Sequence, residues 1–148
     1  MTMDTTSFGE VLGNGALAIA AYAVLGVLLL IVGFYVIDMA TPGKLSKLIR
    51  EDRNPNATAL TSAGLAAVGL IVAASIFSSG GRLQEGLIAT AVFGVLGIAV
   101  QTLGMFAFDK VAGISIRALV AEPQLQPAAI LLSVTHVAIG LITAVAVI

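Results

Sequence analysis

The sequence predicts an all-α fold, an integral membrane four-helix bundle built of two parallel two-span repeats. Of 148 residues, 59% are hydrophobic and only 10% are charged, which is too little polar side chain to cover a soluble surface. Four apolar stretches are each long enough for a helix that crosses a bilayer. The first two stretches and their connector recur 71 residues later, where Gly104 and Asp109 match Gly33 and Asp38.

The first span comes from a long uncharged run, since no residue from Val11 to Ile37 is charged. We expect a helix over about Ala16–Ile37, preceded by a short polar lead over Met1–Gly15. A cleaved secretory signal needs a basic start, and no Lys or Arg precedes this run. The run should therefore stay in the protein as a span.

The first connector begins at Thr41-Pro42, where proline stops the span and suits the first turn of a new helix capped by Thr41. Over about Pro42–Arg53, apolar residues fall on one face of that helix and cations on the other, which is typical of a helix in the membrane interface. These cations should attract anionic lipid by about 1 kcal/mol each, with docking of a cytoplasmic partner as the alternative. They are Lys44, Lys47 and Arg50.

The remaining elements follow in the same order. Asn54-Pro55-Asn56 ends the first connector and offers a cap for the second span. We expect the second span at about Ala57–Phe77, followed by a tight turn at Ser78–Arg82 and the third span at about Glu85–Phe108. A second interfacial connector over Asp109–Gln126 then leads to the fourth span, Pro127–Ile148.

The cations are distributed unevenly over the loops. Six lie in the two long connectors, and Arg82 alone lies in the turn between the second and third spans. Cytoplasmic loops carry an excess of Lys and Arg. The sequence therefore predicts that both connectors and their interfacial helices are cytoplasmic and that both termini lie outside.

The chain is predicted to be a single membrane domain over residues 1–148, with internal repeats at 16–77 and 87–148. A shift of 71 residues aligns the repeats without gaps, and roughly a quarter of the pairs are identical, about twice the chance level for so apolar a sequence. Because each unit has two spans, both units enter the bilayer in the same sense. We expect a pseudo-two-fold axis along the membrane normal.

The end of the first span carries a family resemblance. The pattern Gly26-x6-Gly33-Phe-x3-Asp38-x2-Thr41-Pro42-Gly43, with Asn56-Ala57 opening the next span, resembles the bacterial membrane family catalogued as domain of unknown function 350. The resemblance covers nearly the whole chain and implies two tandem two-span units, an inner-membrane location and no established activity. The second unit departs from the pattern, because Ala112-Gly113 replaces Thr-Pro and Pro127 replaces Asn56.

Asp38 and Asp109 are the sharpest candidates for a functional site, with Thr41 and Asn56 in the same junction. Each aspartate ends a predicted span, where the helix dipole disfavours an anion by about 0.3–1 kcal/mol and where charge near hydrocarbon is costly. Each therefore needs a partner. One hypothesis is a structural ion pair with a connector cation or a cap on the following turn. The other is a site for ion or proton passage.

Four glycines form two pairs, each spaced by seven residues on one helix face. Small residues let helices approach closely in lipid, so we expect these glycines to bring the first and third spans together. A pore lining made flexible by glycine is the alternative. The glycines are Gly26, Gly33, Gly97 and Gly104.

Gln101 and His136 are the polar side chains deepest in the predicted spans, and their repeat equivalents are Leu30 and Leu65. We expect His136 to be neutral and hydrogen-bonded to a neighbouring helix, with a proton relay as the alternative. A single histidine with no carboxylate at ligand spacing predicts no metal site.

The composition also argues against several function classes. The absence of cysteine excludes disulfides, iron–sulfur clusters and thiolate catalysis. A net charge of −1 without a basic stripe predicts no nucleic-acid partner. Because no catalytic triad, phosphate loop or carboxylate pair is visible, we expect no enzyme and no cofactor.

Two functional classes remain. Four spans enclose little of a pathway, so we expect a homo-oligomer, or a subunit among other membrane subunits, in the lipid bilayer. The first class is a non-enzymatic assembly or scaffold subunit. The second is an oligomer that passes a small ion or solute, with Asp38 and Asp109 at its cytoplasmic mouth. Convergence of the intramembrane polar residues on one axis with Asp109 would favour passage, and local pairing would favour the scaffold; these residues are Gln101, Thr102, Ser133 and His136.

Overall fold

The computed structural model describes residues 7–148, which form six helices and no strand. In chain order they are α1 (Phe8–Ala40), α2 (Leu45–Arg50), α3 (Pro55–Phe77), α4 (Leu83–Ala112), α5 (Ile116–Ala121) and α6 (Pro127–Val147). Helices α1, α3, α4 and α6 are long and apolar enough to cross a membrane. The all-helical fold with four membrane-capable helices is thus confirmed.

The first helix begins earlier than the sequence predicts. The Ser7 hydroxyl accepts a hydrogen bond from the Glu10 backbone N–H at 3.3 Å, and the Glu10 carboxylate accepts one from the Ser7 N–H at 2.9 Å. This reciprocal cap starts a helix directly after Ser7. The predicted polar lead over Met1–Gly15 is therefore wrong from Phe8 onward, and residues 1–6 lie outside the described residues.

The third long helix is also longer than predicted, and it includes Asp109 in its C-terminal part. It ends at Gly113, whose φ of +66° is a left-handed conformation that glycine adopts without strain. The Gly113 N–H donates to the Asp109 backbone carbonyl. The second connector consequently starts at residue 113, four residues later than expected.

The first connector helix is shorter than the predicted Pro42–Arg53, because Thr41 does not cap it. The Thr41 hydroxyl instead donates to the Ile37 carbonyl at 2.8 Å, at the end of α1. Leu45 is 1% exposed, and Leu48 and Ile49 pack beside it against the bundle. The apolar side of α2 therefore covers protein.

Both connectors lie at the same end of the bundle, where the largest apolar cluster joins five of the helices. Its members include Ile37, Leu45, Leu60, Leu119 and Leu132, from α1, α2, α3, α5 and α6 respectively. Helix α3 is central, since it contacts all of the other five helices and is the most buried of the four long ones.

The two halves of the chain meet along α3 and α6. Gly140 packs against Ala67 so closely that a Cβ at residue 140 would overlap the Ala67 side chain. A two-fold axis would pair Gly69 with Ala138 in the same way. However, a Cβ built on Gly69 would have no atom within 4 Å, and Ala138 is exposed. The expected two-fold axis is therefore wrong.

The halves instead stand side by side in the same sense. Gly69 is the residue equivalent to Gly140. It lies two positions from Ala67 and therefore on the opposite side of α3. Opposite faces of α3 and α6 thus form the contact. Helices α2 and α5 begin 71 residues apart, at Leu45 and Ile116, as a duplication requires. The duplication itself stays a prediction.

Candidate functional site

Asp38 lies at the end of α1 and caps the first connector helix. Its Oδ1 atom accepts a hydrogen bond from the Leu45 backbone N–H at 2.6 Å. Leu45 is the first residue of α2, and Lys44 before it makes no side-chain cap. The carboxylate therefore satisfies a free N–H at the positive end of a helix. This geometry is the cap on the following turn that the sequence offered as one hypothesis.

Asp109 occupies the equivalent position in the second half but makes no such bond. Both of its carboxylate oxygens are buried without a hydrogen-bond partner among residues 7–148, and the residue is 8% exposed. The following helix does not need Asp109, because the Ser115 hydroxyl accepts from the Ala118 N–H at 3.3 Å and caps α5. Ser115 stands where the first half has Lys44.

Neither aspartate forms the ion pair with a connector cation that the sequence allowed. Among residues 7–148, Arg82 and Glu85 form the one ion pair, at 3.0 Å in the opposite loop. Lys44, Lys47 and Arg50 are exposed on the side of the first connector that faces away from the bundle. They remain accessible to lipid headgroups or to a partner.

Asn56 is fully occupied in joining the two connectors. It is 0% exposed, and its Oδ1 accepts from the Gln126 backbone N–H at 2.8 Å. Its side-chain amide lies within hydrogen-bond distance of the carbonyls of Leu119, Glu122 and Gln124, at 2.9–3.1 Å. With no group of Asn56 left for a ligand, its contacts are those of a structural clamp.

Asn54 completes this clamp and also caps α3. Its Oδ1 accepts from the Ala57 N–H at 2.9 Å, and its amide donates to the Val120 carbonyl at 2.8 Å. The sequence indicated the cap and missed the long-range bonds. Two asparagines around Pro55, in a loop that would otherwise need only one cap, were the available signal.

The four glycines of the predicted packing faces each lie against another helix, although not in the predicted pairing. Cβ atoms built at Gly26 and Gly33 would lie 3.6 and 3.0 Å from side-chain atoms of Val72 and Val68 on α3. Gly97 faces Ile71, also on α3. The predicted α1–α4 contact through these glycines is therefore wrong.

The remaining glycine of that set shows a contact that both halves share. A Cβ at Gly104 would lie 3.1 Å from Ile139 on α6, which matches the contact of Gly33 with Val68 at a spacing of 71 residues. Helices α1 and α4 do touch, but at Leu29, which packs on Gly94. Gly33 and Gly104 thus each pack against the second span of their own half, whereas Gly97 and Gly94 pack against the other half.

Gln101 and His136 meet in the bundle interior. The Gln101 Nε2 atom donates to the His136 backbone carbonyl at 2.8 Å, and the two residues are 3% and 1% exposed. Neither ring nitrogen of His136 has a hydrogen-bond partner within residues 7–148, although the ring lies near the Leu60 backbone carbonyl. In the part of the chain that the structure describes, the Gln101 Oε1 and Ser133 Oγ atoms are likewise buried without partners.

These polar groups occupy the connector half of the bundle, and apolar side chains separate them from Thr90, whose buried Oγ1 atom also has no partner among residues 7–148. Gln101 and Asp109 share the buried face of α4, while Thr102 bonds to its own helix at the Ile98 carbonyl. Beyond Gln101, Ile71 fills the space at Gly97 and Leu29 fills the space at Gly94. A cavity of about 10 Å³ adjoins Gln101, which is room for about one water molecule.

Comparison with known proteins gives the family. The family model described as Domain of Unknown Function (DUF350) matches residues 11–147. The chain belongs to the DUF350 family. This membership confirms the resemblance derived from the glycine, aspartate and Thr-Pro pattern.

Curated relatives agree with this placement. A UPF0719 transmembrane protein of Mycolicibacterium paratuberculosis is 35% identical over 134 residues, which cover 90% of this chain and 89% of that protein. UPF0719 transmembrane proteins of Mycobacterium bovis and Mycobacterium tuberculosis are each 31% identical over 133 residues, covering 90% of this chain and 88% of theirs. No solved structure matches the chain. This DUF350 chain is accordingly a multi-pass transmembrane protein.

Proposed function

We propose that this DUF350 protein is a non-enzymatic assembly subunit of an oligomeric complex in the bacterial inner membrane. The observation that carries the proposal is an open apolar groove between α1 and α3, of about 750 Å³. One leucine and two small residues of α3 form one side, and aromatic and aliphatic residues of α1 form the other. The groove is lined by Leu65, Ala66 and Gly69 together with Leu30, Phe34 and Tyr35.

Such a groove favours another helix as its occupant. In lipid no hydrophobic force drives helices together, so close packing at small residues supplies much of the association energy. Within this chain, Gly33, Gly97 and Gly140 each seat a neighbouring helix, whereas Gly69 lies open. The second spans of the two halves therefore differ: Gly140 of α6 packs against another helix of the chain, whereas the equivalent Gly69 of α3 does not.

The interior of one copy argues against passage through that copy. Among residues 7–148, the unpartnered polar groups of the connector half end at Gln101 and His136, beyond which Leu29 and Ile71 close the bundle. The Thr90 Oγ1 atom, also buried and unpartnered, lies beyond these two apolar side chains and is separated by them from the other polar groups. A path for an ion would need polar partners or water along its whole length, because an ionised group in hydrocarbon is costly.

We place both connectors in the cytoplasm and both termini outside. The exposed cations of the first connector, together with Lys110 and Arg117 of the second half, support this orientation. The anionic inner leaflet would attract the exposed side of α2, which carries Lys44, Lys47 and Arg50.

The proposal is tested by the mass of the particle in lipid. Membranes containing the tagged protein are extracted with a styrene–maleic acid copolymer, so that the protein keeps its own bilayer patch, and the particles are weighed by native mass spectrometry. We expect species heavier than one 14.9 kDa chain. Single chains throughout, at the level of native expression, would contradict the proposal.

One observation favours ion passage by an oligomer as the second candidate. Asp109, Ser133 and His136 leave buried polar atoms that have no partner among residues 7–148, and such groups inside a membrane often mark an ion or proton path. The test is ion flux into liposomes holding purified protein. Under this hypothesis Asp109→Asn abolishes the flux, while Glu85→Gln, which removes a charge from the exposed ion pair, leaves it unchanged. Absence of flux in the unaltered protein would reject it.

A further inference from the structure

We infer that the open groove between α1 and α3 receives the outer face of α6 from a second copy of this chain, with Ile142 of one copy against Gly69 of the next. The inference rests on the proposed assembly function, for which it names the partner and the surface.

The contact inside the chain is the template for this one. Gly140 of α6 packs on Ala67 of α3, so the chain uses one face of each helix for its internal contact. The equivalent residues, Gly69 and Ala138, lie 71 residues away in each case and are both free. Each copy thus leaves two faces unused, the α3 face around Gly69 and the α6 face around Ala138.

The bilayer determines which residues meet. Copies in one membrane stand at the same depth, so residues at equal depth must face each other. Helices α3 and α6 both run away from the connector end, and they touch at Ala67 and Gly140. Two residues further along each helix, Gly69 and Ile142 therefore lie at equal depth.

The two surfaces also fit in shape and polarity. Ile142 is 70% exposed and projects from α6 one turn beyond Ala138, on the same face. Gly69 leaves a depression in the opposite surface, where Ala73 and Gly26 extend the row of small residues. Neither surface carries a charged side chain within the span. An aliphatic residue packing on glycine is also the contact that Ile71 makes with Gly97 inside the chain.

The contact joins different surfaces of the two copies. Each copy has one α1–α3 groove and one outer α6 face, so a pair formed this way still has a free α1–α3 groove on one copy and a free outer α6 face on the other. Association of this kind continues into a ring or a row. Oligomers beyond the dimer are consequently expected.

Engineered cysteines test the geometry, since the chain has no cysteine of its own. The double variant Gly69→Cys/Ile142→Cys, oxidised in native membranes, should give a ladder of covalent multimers. The control pairs Gly69→Cys with Val95→Cys, a residue of α4 that is 56% exposed and lines a different groove, between α1 and α4. The control should stay monomeric. A covalent dimer from Gly69→Cys alone would indicate a symmetric contact and overturn the inference.

A bulky residue in the groove provides a second test that does not depend on cross-linking. A Cβ at Gly69 meets no atom of residues 7–148 within 4 Å, and the side chain of Gly69→Leu extends into the open groove. The thermal unfolding midpoint in detergent should therefore be unchanged, while association in lipid falls at least tenfold. Gly13→Leu, another glycine with open space around it, should leave both unchanged. Full association of Gly69→Leu, together with no ladder, would overturn the inference and leave the proposed function standing. Single chains in lipid for the unaltered protein would end both.

Discussion

The carboxylate of Asp38 accepts a hydrogen bond from the backbone N–H of Leu45 at 2.6 Å and so ties the end of α1 to the start of α2. Loss of a capping acceptor typically costs about 0.5–2 kcal/mol. We expect Asp38→Ala to lower the free energy of unfolding by about 1 kcal/mol. Denaturant titration in detergent micelles measures this. Asp38→Asn keeps an oxygen acceptor and should lose less, so an equal loss in both variants would assign the effect to charge.

Asp109 gives the opposite expectation, because its carboxylate has no partner among residues 7–148. It is also an anion in the last turns of α4, where the helix dipole disfavours it. Asp109→Asn removes the charge with little change in volume. We expect the variant to unfold at a higher temperature than the unaltered protein. A lower midpoint would indicate that Asp109 has a favourable partner, and dependence of that loss on an added cation would favour ion passage.

Asn56 should be the most sensitive polar residue of the connector end. It is fully buried, its side-chain amide donates to carbonyls of the second connector, and its Oδ1 atom accepts from the Gln126 N–H. Asn56→Ala leaves these groups unsatisfied, which we expect to cost about 2–3 kcal/mol. Gln126→Ala is the matched control, since Asn56 contacts only the Gln126 backbone. If both variants unfold alike, the clamp contributes little to stability.

Gly33 tests the packing of the spans. A Cβ there would already lie 3.0 Å from Val68, so the larger side chain of Gly33→Leu has to push α1 away from α3. We expect a marked fall in the thermal unfolding midpoint in detergent. A Cβ built at Gly13 meets no atom of residues 7–148 within 4 Å, so Gly13→Leu should leave the midpoint where it was. An unshifted midpoint for Gly33→Leu would rule out this packing role.

The sequence predicts the spans well because their length and hydropathy are local properties. The Pro-rich junctions also fix the starts of α3 and α6 to within two residues, at Pro55 and Pro127. Helix ends that are set by caps were harder to predict from the sequence. Ser7 and Glu10 start α1 within a stretch whose polarity suggested a lead, and Gly113 rather than Asp109 ends α4.

The arrangement of the two halves could not be predicted from the repeat. A repeat of 71 residues states which residues are equivalent, but not which of two opposite faces each helix uses. Gly69 and Gly140 are equivalent in sequence, yet only Gly140 is packed against another span. The different roles of Asp38 and Asp109 have the same origin, because they depend on whether the next residues supply a cap of their own, as Ser115 does.

The orientation in the membrane is open to a direct test with single cysteines, because none is present to interfere. Ser46, Arg117 and Gln84 are exposed, the first two in α2 and α5 and the third at the start of α4. A membrane-impermeant maleimide added to intact spheroplasts should label Gln84→Cys and leave Ser46→Cys and Arg117→Cys unlabelled until the cells are broken. Because Asn54 and Asn56 bind the second connector, both connector sites must react together. Labelling of both in intact spheroplasts would reverse the orientation and leave the fold intact, whereas labelling of one alone would contradict the fold.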